Sequence, residues 1–393
     1  MVRMLVRHSV FAAVLLCWLV VSPAAEAREI VSVDFQRIDN LIRLEAVVED
    51  GDAQNRFTFH HVRRLGPTYG SVILLPGGNA NFDFYEIHPD GYDASFVGVL
   101  AAAGYDVFGY SPRSRGLPAT VCQDGTFDCS VMADWGFETI LRDLDFVRFF
   151  ARLAHPRQKP VVGGFSLGAI TALAAIDARP HAYSGALIWE GMTYSDNSQV
   201  VAANQATCTQ IEALIAAGSY ADAETGPLLE TVTQLAVTVP DDPSPFEPAL
   251  TNRLFYLALL TTPQPAPPAY VPGYTLVAGD LFSGFTYASE PLLQAGVVSF
   301  NDIEARAVAR DLACSLAGDR TFTGNLGSFQ APVLAIGAEH GFGSYMQDVL
   351  DELGSSEVEF ILTPDYAHAD QYASPDRPTL IDQPLLDWLS ELY

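Results

Sequence analysis

Gly164-Phe165-Ser166-Leu167-Gly168 sets a serine between two glycines at the junction of two apolar runs. Pro160-Val161-Val162-Gly163 leads into it, and Ala169-Ile170-Thr171-Ala172-Leu173-Ala174-Ala175-Ile176 follows. The stretch reads as a buried strand, a sharp turn and a helix. Small residues two before and two after the serine let the strand and helix backbones approach closely. They hold the serine on a strained turn with Oγ exposed and the next backbone N–H facing a developing oxyanion. The chemistry such a residue can do is attack on a carbonyl carbon. A neutral hydroxyl is a poor nucleophile, so it needs a base within hydrogen-bond reach and an acid to orient that base.

The elements that must position these groups follow from the hydrophobic pattern. Residues 30–35, 41–48 and 57–62 read as strands, separated by turn-like Arg37-Ile38-Asp39-Asn40 and Glu49-Asp50-Gly51-Asp52. Residues 71–75 form a short buried strand ending in Pro76-Gly77-Gly78-Asn79. A helical stretch at 94–103, a strand at 105–110 and a periodic helix at 135–154 precede the strand at Val161; a further strand, 186–189, follows the serine turn. Strands alternating with helices predict a mostly parallel sheet covered on both faces. The alternation lapses over residues 191–330, which read as helical and irregular and include Thr262-Pro263-Gln264-Pro265-Ala266-Pro267-Pro268. It resumes with a strand at 333–336, a helix at 345–353, a strand at 358–362 and a closing helix at 382–392. An insertion whose ends return to consecutive strands is expected to be a cap over the strand C-termini, where ligands bind in open sheets. The competing reading is an independent binding domain.

The N-terminus reads as a processing segment. Arg3, Arg7 and His8 precede an apolar run over 9–21, and Ala25-Glu26-Ala27 offers a small-x-small cleavage site before Arg28. That apolar core is shorter than the ~20 residues a membrane span needs. Residues 1–27 are therefore expected to be a signal peptide, and the mature chain secreted or periplasmic, with no stable membrane insertion. Of the five cysteines, Cys17 lies in that segment, leaving Cys122, Cys129, Cys208 and Cys314. An oxidising compartment favours bridges among them. Three pairings are open, with Cys122–Cys129 as a local loop and Cys208–Cys314 as a tie across the insertion preferred. No Cys-x-x-Cys or His-x-x-x-His spacing suggests a metal site. A net charge of −26 over 393 residues argues against nucleic acid as a partner.

Three motifs, in this order, resemble the α/β-hydrolase superfamily: Leu74-Leu75-Pro76-Gly77-Gly78 after a strand, the Ser166 turn, and a late Asp365-Tyr366-Ala367-His368-Ala369-Asp370. The resemblance covers residues 71–190 and 331–393 and implies a core of residues 28–190 and 331–393 interrupted by a cap at 191–330. It departs at Pro76, where the superfamily often has a histidine. The resemblance also places the base after the last strand, which selects His368. His181 should lie at the opposite end of the sheet, and His340 occupies the place usual for the acid. No Asp stands in that place before Asp348. Glu339 is one candidate acid. The other is Glu190, at the end of Leu187-Ile188-Trp189, matching members that carry a glutamate after the preceding strand. Certain epoxide hydrolases and haloalkane dehalogenases resemble the chain in this respect and have a glycine-rich segment like Gly341-Phe342-Gly343. A charged residue ending a buried strand needs a reason to be there. Glu190 is preferred, with Glu339 left open.

The backbone N–H groups of Gly78 and Leu167 are the expected oxyanion donors, and Asn79 is either a further side-chain donor or a turn former. A serine nucleophile implies an acyl-enzyme and excludes epoxide and haloalkane hydrolysis, which on this fold need an aspartate. The expectation is a secreted carboxylic-ester hydrolase with a Ser-His-Glu triad, acting on a small-molecule or lipid-like, hydrophobic ester without cofactor or metal. A peptidase of the same superfamily and an inactive binding module are the alternatives.

Overall fold

The computed structural model describes residues 28–262, 273–297 and 299–393. The segment read as a signal peptide and most of the proline-rich stretch lie outside the described residues. The chain builds one nine-stranded sheet in the order β1-β2-β3-β5-β4-β6-β7-β10-β11. These strands are β1 Arg28–Ile38, β2 Leu41–Asp50, β3 Asp52–Arg64, β4 Gly70–Leu75, β5 Tyr105–Ser111, β6 Val161–Phe165, β7 Gly185–Trp189, β10 Val333–Ala338 and β11 Val358–Thr363. β8 Ala221–Asp222 and β9 Glu304–Ala305 make a separate two-residue ladder. The first three strands pair antiparallel, and β3 meets β5 antiparallel. From β5 to β11 every pairing is parallel.

Helices α1 Phe96–Ala103, α2 Phe137–Ala154, α3 Leu167–Ala178, α9 Gly343–Leu350 and α11 Gln383–Leu392 cover the sheet, and the short α10 Asp370–Ala373 precedes the last of them. The period-two alternation decides which face each strand residue serves. Ile73, Leu75, Val162, Ile188 and Ala335 join the core beneath α2, α3 and α9. Their neighbours Val72, Leu74, Val161, Leu187 and Leu334 join the core beneath α1 and α11. Both faces are thus buried, which is why these strands read as unbroken apolar runs.

The first two turns are tighter than the polar residues around them suggest. β1 runs on to Ile38 and β3 starts at Asp52, leaving Asp39-Asn40 and Gly51 to reverse the chain. Cross-strand pairs such as Arg37 opposite Ile42 and Glu49 opposite Arg56 keep polar residues in the ladder. The helix expected from 94 starts at Phe96, because the Ser95 side chain accepts the Gly98 N–H and caps it.

Between β7 and β10 lie α4 Ser198–Ala216, α5 Thr225–Thr238, α6 Asn252–Thr261, α7 Glu290–Val297 and α8 Arg306–Leu316. Disulfides Cys122–Cys129 and Cys208–Cys314 both form, the second joining α4 to α8. Val200, Ile303, Val308 and Leu316 of this segment enter the same core cluster as Ile73 and Leu75. Asp311 on α8 accepts the Phe137 N–H at 2.7 Å, satisfying the start of α2 where Gly136 has no side chain to do so. Among the described residues no helix is long and apolar enough to cross a membrane.

Candidate active site

The order in which the chain lays down its parallel strands reverses between β4 and β6: β5 is added on one side of β4, and β6 on the other. Loops leaving the C-terminal ends of two such neighbours diverge and open a crevice. Pro76-Gly77-Gly78 leaves β4 and Ser166 leaves β6 at that point, since Leu75 pairs with Gly164 in the register. The Ser166 turn is strained, with φ 59° and ψ −122°. Its flanking glycines are required by contact. A Cβ on Gly164 would stand 2.3 Å from the Leu75 carbonyl oxygen, and one on Gly168 1.9 Å from it. Ser166 N–H donates to the Trp189 carbonyl at 2.9 Å, which fixes the turn to the end of β7.

His368 follows β11 and is 3% exposed. Its Nε2 lies 3.0 Å from Ser166 Oγ and its Nδ1 2.8 Å from Glu190 Oε2. The ring stacks on Phe165 at 4.7 Å and meets the edge of Phe342 at 4.8 Å. Glu190 directly follows β7, is fully buried at φ 55°, and is tied to β10 by its N–H, which donates to Ile336 O at 2.8 Å. Three donors converge on its carboxylate. Ala338 N–H reaches Oε1 at 2.5 Å, and Phe342 N–H reaches Oε2 at 3.0 Å beside His368 Nδ1. Gly341 makes room for the group, because a Cβ there would fall 2.1 Å from Glu190 Oε2.

The structure does not bring Glu339 to His368. Glu339 is exposed, and its Oε2 accepts the Asp365 N–H at 2.9 Å. Asp348 is likewise occupied elsewhere, accepting from Ser195 Oγ and Asp196 N–H. Gly77 and Gly78 lie against the serine turn. A Cβ on Gly77 would stand 3.7 Å from Ser166 Cβ, and one on Gly78 4.0 Å from Leu167 Cβ. Asn79 adopts φ 54°, the left-handed turn conformation that asparagine tolerates.

Two residues that the sequence pattern does not single out help to hold this arrangement. The Tyr85 hydroxyl, fully buried, donates to Leu75 O at 2.7 Å and accepts the Phe165 N–H at 2.7 Å. It therefore ties the residue before the Pro76-Gly77-Gly78 loop to the residue before Ser166. The turn that carries Tyr85 is itself braced, with Arg43 bonded to Glu86 and Asp83, and Arg115 to Asp83 and Glu45. The second residue is Glu304, whose Oε1 accepts the Asn79 N–H at 3.0 Å. Burial pushes its carboxyl up to about 7. No local spacing announces either residue, because Phe165 is 80 positions from Tyr85 and Asn79 is 225 from Glu304.

Three side-chain groups among the described residues have the spacing of a metal site. One is built on the bridged Cys208 and Cys314, which have no thiolate to offer. In Glu45, His60 and Asp83 the carboxylates are already engaged by Arg43 and Arg115. Glu339, His340 and Asp365 are exposed on the outer surface.

No family model and no curated protein sequence matches the chain. Solved structures do. A candidate lipase from Sulfolobus solfataricus superposes over 92% of this chain and all of its own length, with 20% identity and a TM-score of 0.64. A highly thermostable carboxyl esterase from Bacillus coagulans covers 92% of this chain and 98% of its own, with 12% identity and a TM-score of 0.54. With a mostly parallel sheet covered on both faces and such neighbours over nearly its whole length, the chain has the α/β-hydrolase fold.

Proposed function

We propose that the protein is a serine hydrolase that cleaves carboxylic esters. The single observation that carries this is the continuous chain of contacts from Ser166 Oγ through His368 to the buried Glu190. In the proposed mechanism His368 Nε2 takes the Ser166 proton as Oγ attacks the ester carbon. Glu190 holds Nδ1–H and stabilises the imidazolium that forms. The N–H groups of Gly78 and Leu167 receive the oxyanion. The tetrahedral intermediate collapses, the alcohol leaves with the proton from Nε2, and Ser166 carries the acyl group. Water, deprotonated by His368, then attacks the acyl carbon, and the carboxylic acid departs as Ser166 recovers its proton.

The neighbouring structures named as lipase and esterase support this class of chemistry. Residues 191–330 act in this reading as a cap over the crevice, and its apolar surfaces favour a hydrophobic substrate. The two disulfides support an exported protein. The test is a fluorophosphonate probe together with a panel of p-nitrophenyl esters, lipid esters, lactones and aminoacyl anilides. Ester turnover and labelling, both lost in a folded Ser166→Ala protein, are the expected results. Turnover that survives in Ser166→Ala would refute the reading.

A further inference from the structure

The loop that follows β4 is held less by the sheet than by the segment inserted between β7 and β10. Asn79 N–H donates to Glu304 Oε1 at 3.0 Å, and Asn79 O accepts the Asn301 N–H at 2.6 Å. Asn301 Nδ2 reaches Ala80 O at 3.2 Å, and Asn81 N–H reaches Ser299 O at 2.9 Å. Ala80 and Phe300 form an isolated antiparallel bridge between the two segments. Asn301 is in turn pressed by α5, where a Cβ on Gly226 would meet its carbonyl oxygen at 2.0 Å. Residues 79–81 are thus sewn to residues 299–304.

Within this seam Glu304 stands out. It sits on β9, opposite Asp222, and it is the one seam residue that reaches the loop with a charged side chain. The residue is half-buried, and a carboxyl withdrawn from water is costly unless it is hydrogen-bonded. Its single hydrogen bond among the described residues goes to the peptide N–H immediately after Gly78. It also lines, with Gly77 and Leu167, a cavity of about 30 Å³. Two consecutive glycines leave their peptide planes nearly free to rotate. A donor that must be aimed before the reaction therefore needs an external anchor, because stabilisation of an oxyanion depends on preorganised N–H groups.

We propose that Glu304 is a positioning residue: by holding the Asn79 N–H it fixes the peptide plane beyond Gly78 and keeps the Gly78 N–H aimed at the substrate carbonyl oxygen. This rests on the ester-hydrolase reading for the role of Gly78, but the anchor itself is a property of the folded chain. The seam makes the inserted segment part of the oxyanion site, beyond any covering role.

The test compares Glu304→Met, which keeps the side-chain volume without an acceptor, with Glu304→Gln, whose carbonyl oxygen can accept the same N–H. In Glu304→Met, kcat for a p-nitrophenyl ester should fall about tenfold or more, short of the ~10²–10³ of losing a donor outright. KM should stay within about threefold, since the interaction is made through the loop and not with bound substrate. Glu304→Gln should restore most of kcat. Hydrogen exchange supplies a readout independent of turnover. The Asn79 amide should be slow in the wild type, fast in Glu304→Met and slow again in Glu304→Gln. A fast Asn79 amide in the wild type overturns the anchor without any variant. A fall in Glu304→Met that lies wholly in KM, or a folded Glu304→Met with normal kcat and a slow amide, overturns it too. Absence of ester turnover in the wild type would instead remove the ester-hydrolase reading, while the exchange result still decides whether Glu304 anchors the loop.

Discussion

Replacing Glu190 by glutamine changes one atom and tests the whole relay. The carboxylate receives Ala338 N–H on Oε1 and both Phe342 N–H and His368 Nδ1 on Oε2. A glutamine offers one carbonyl oxygen and an NH₂ group to these three positions, and both placements fail somewhere. With the oxygen toward His368, the NH₂ faces the Ala338 N–H, leaving a buried donor unpaired at a cost of about 1–3 kcal/mol. With the NH₂ toward His368, Nδ1 must become the acceptor, so the proton sits on Nε2 and the ring can no longer take the Ser166 proton. In the first placement the imidazolium also loses its anionic partner.

The expected fall in kcat is ~10³–10⁴, by comparison with the best-studied serine triad. That corresponds to about 4–5.5 kcal/mol of lost transition-state stabilisation. Steady-state hydrolysis of a p-nitrophenyl ester measures it, with fluorophosphonate labelling rate as a second readout and circular dichroism to confirm folding. Glu339→Gln is the control, because Glu339 is exposed and a glutamine oxygen can still accept the Asp365 N–H that its side chain binds. It should stay within about twofold of wild type, as surface changes away from special features usually do. A folded Glu190→Gln that keeps kcat within tenfold refutes the relay, and a larger loss in Glu339→Gln moves the acid to the loop after β10.

Further expectations concern the supports. Tyr85→Phe leaves Leu75 O and Phe165 N–H without their shared partner, so stability should fall by about 1–3 kcal/mol per orphaned group. kcat should fall more than KM rises, and an unchanged thermal midpoint with unchanged kcat would contradict the bridge. Cys208 and Cys314 are separated by 106 positions and Cys122 and Cys129 by 7. In the chain-entropy picture the first bridge is worth ~4.7 kcal/mol and the second about half of that. Paired serine variants should lower the melting temperature in that order, and peptide mapping that finds free thiols would remove both. Asp370, with no exposed surface, has its carboxyl pushed up to about 7 by burial. The folded protein thus keeps a proton that the unfolded chain releases at the ordinary carboxylate value. Stability from this group is full below about pH 4 and is lost as pH rises towards 7, at up to about 1.4 kcal/mol per unit. Asp370→Asn should make the melting temperature fall less steeply between pH 4.5 and 7.5, with the raised carboxyls of Glu304 and Asp382 keeping the remaining slope, and an unchanged slope counts against it.

What the sequence made legible is what short-range contact enforces. The glycines at 164 and 168 are demanded by the Leu75 carbonyl oxygen, which a Cβ at either position would meet at 2.3 or 1.9 Å, so the serine turn carries its own signature. The buried strands announce themselves because both faces are covered. The long edge strands do not. β1 has Val33 and Phe35 more than half exposed, and its ladder accepts charged residues that read as turn. The two-residue ladder in the inserted segment leaves no periodicity to detect. Glu190 and Glu339 look alike in sequence for the same reason. Both stand at strand ends, and only the left-handed turn at Glu190 and the gap at Gly341 decide which side chain points to His368.

In the proposed triad the order of the sheet bears on where the acid stands. β7 and β10 are adjacent, with Trp189 beside Ile336, so their ends lie side by side beneath the loop that carries His368. The carboxylate at the end of β7 meets Nδ1, and a second one placed beside it would repel it. In this chain the loop after β10 supplies the complement to the carboxylate. It offers the N–H groups of Ala338 and Phe342 and a glycine between them that yields space. The missing aspartate after β10 and the glutamate after β7 are therefore one feature. Moving the acid to β10 would require a residue that does not point N–H groups inward, a side chain in place of Gly341, and a neutral end to β7. Single substitutions cannot make that exchange, which is why Glu190 should prove intolerant even of glutamine.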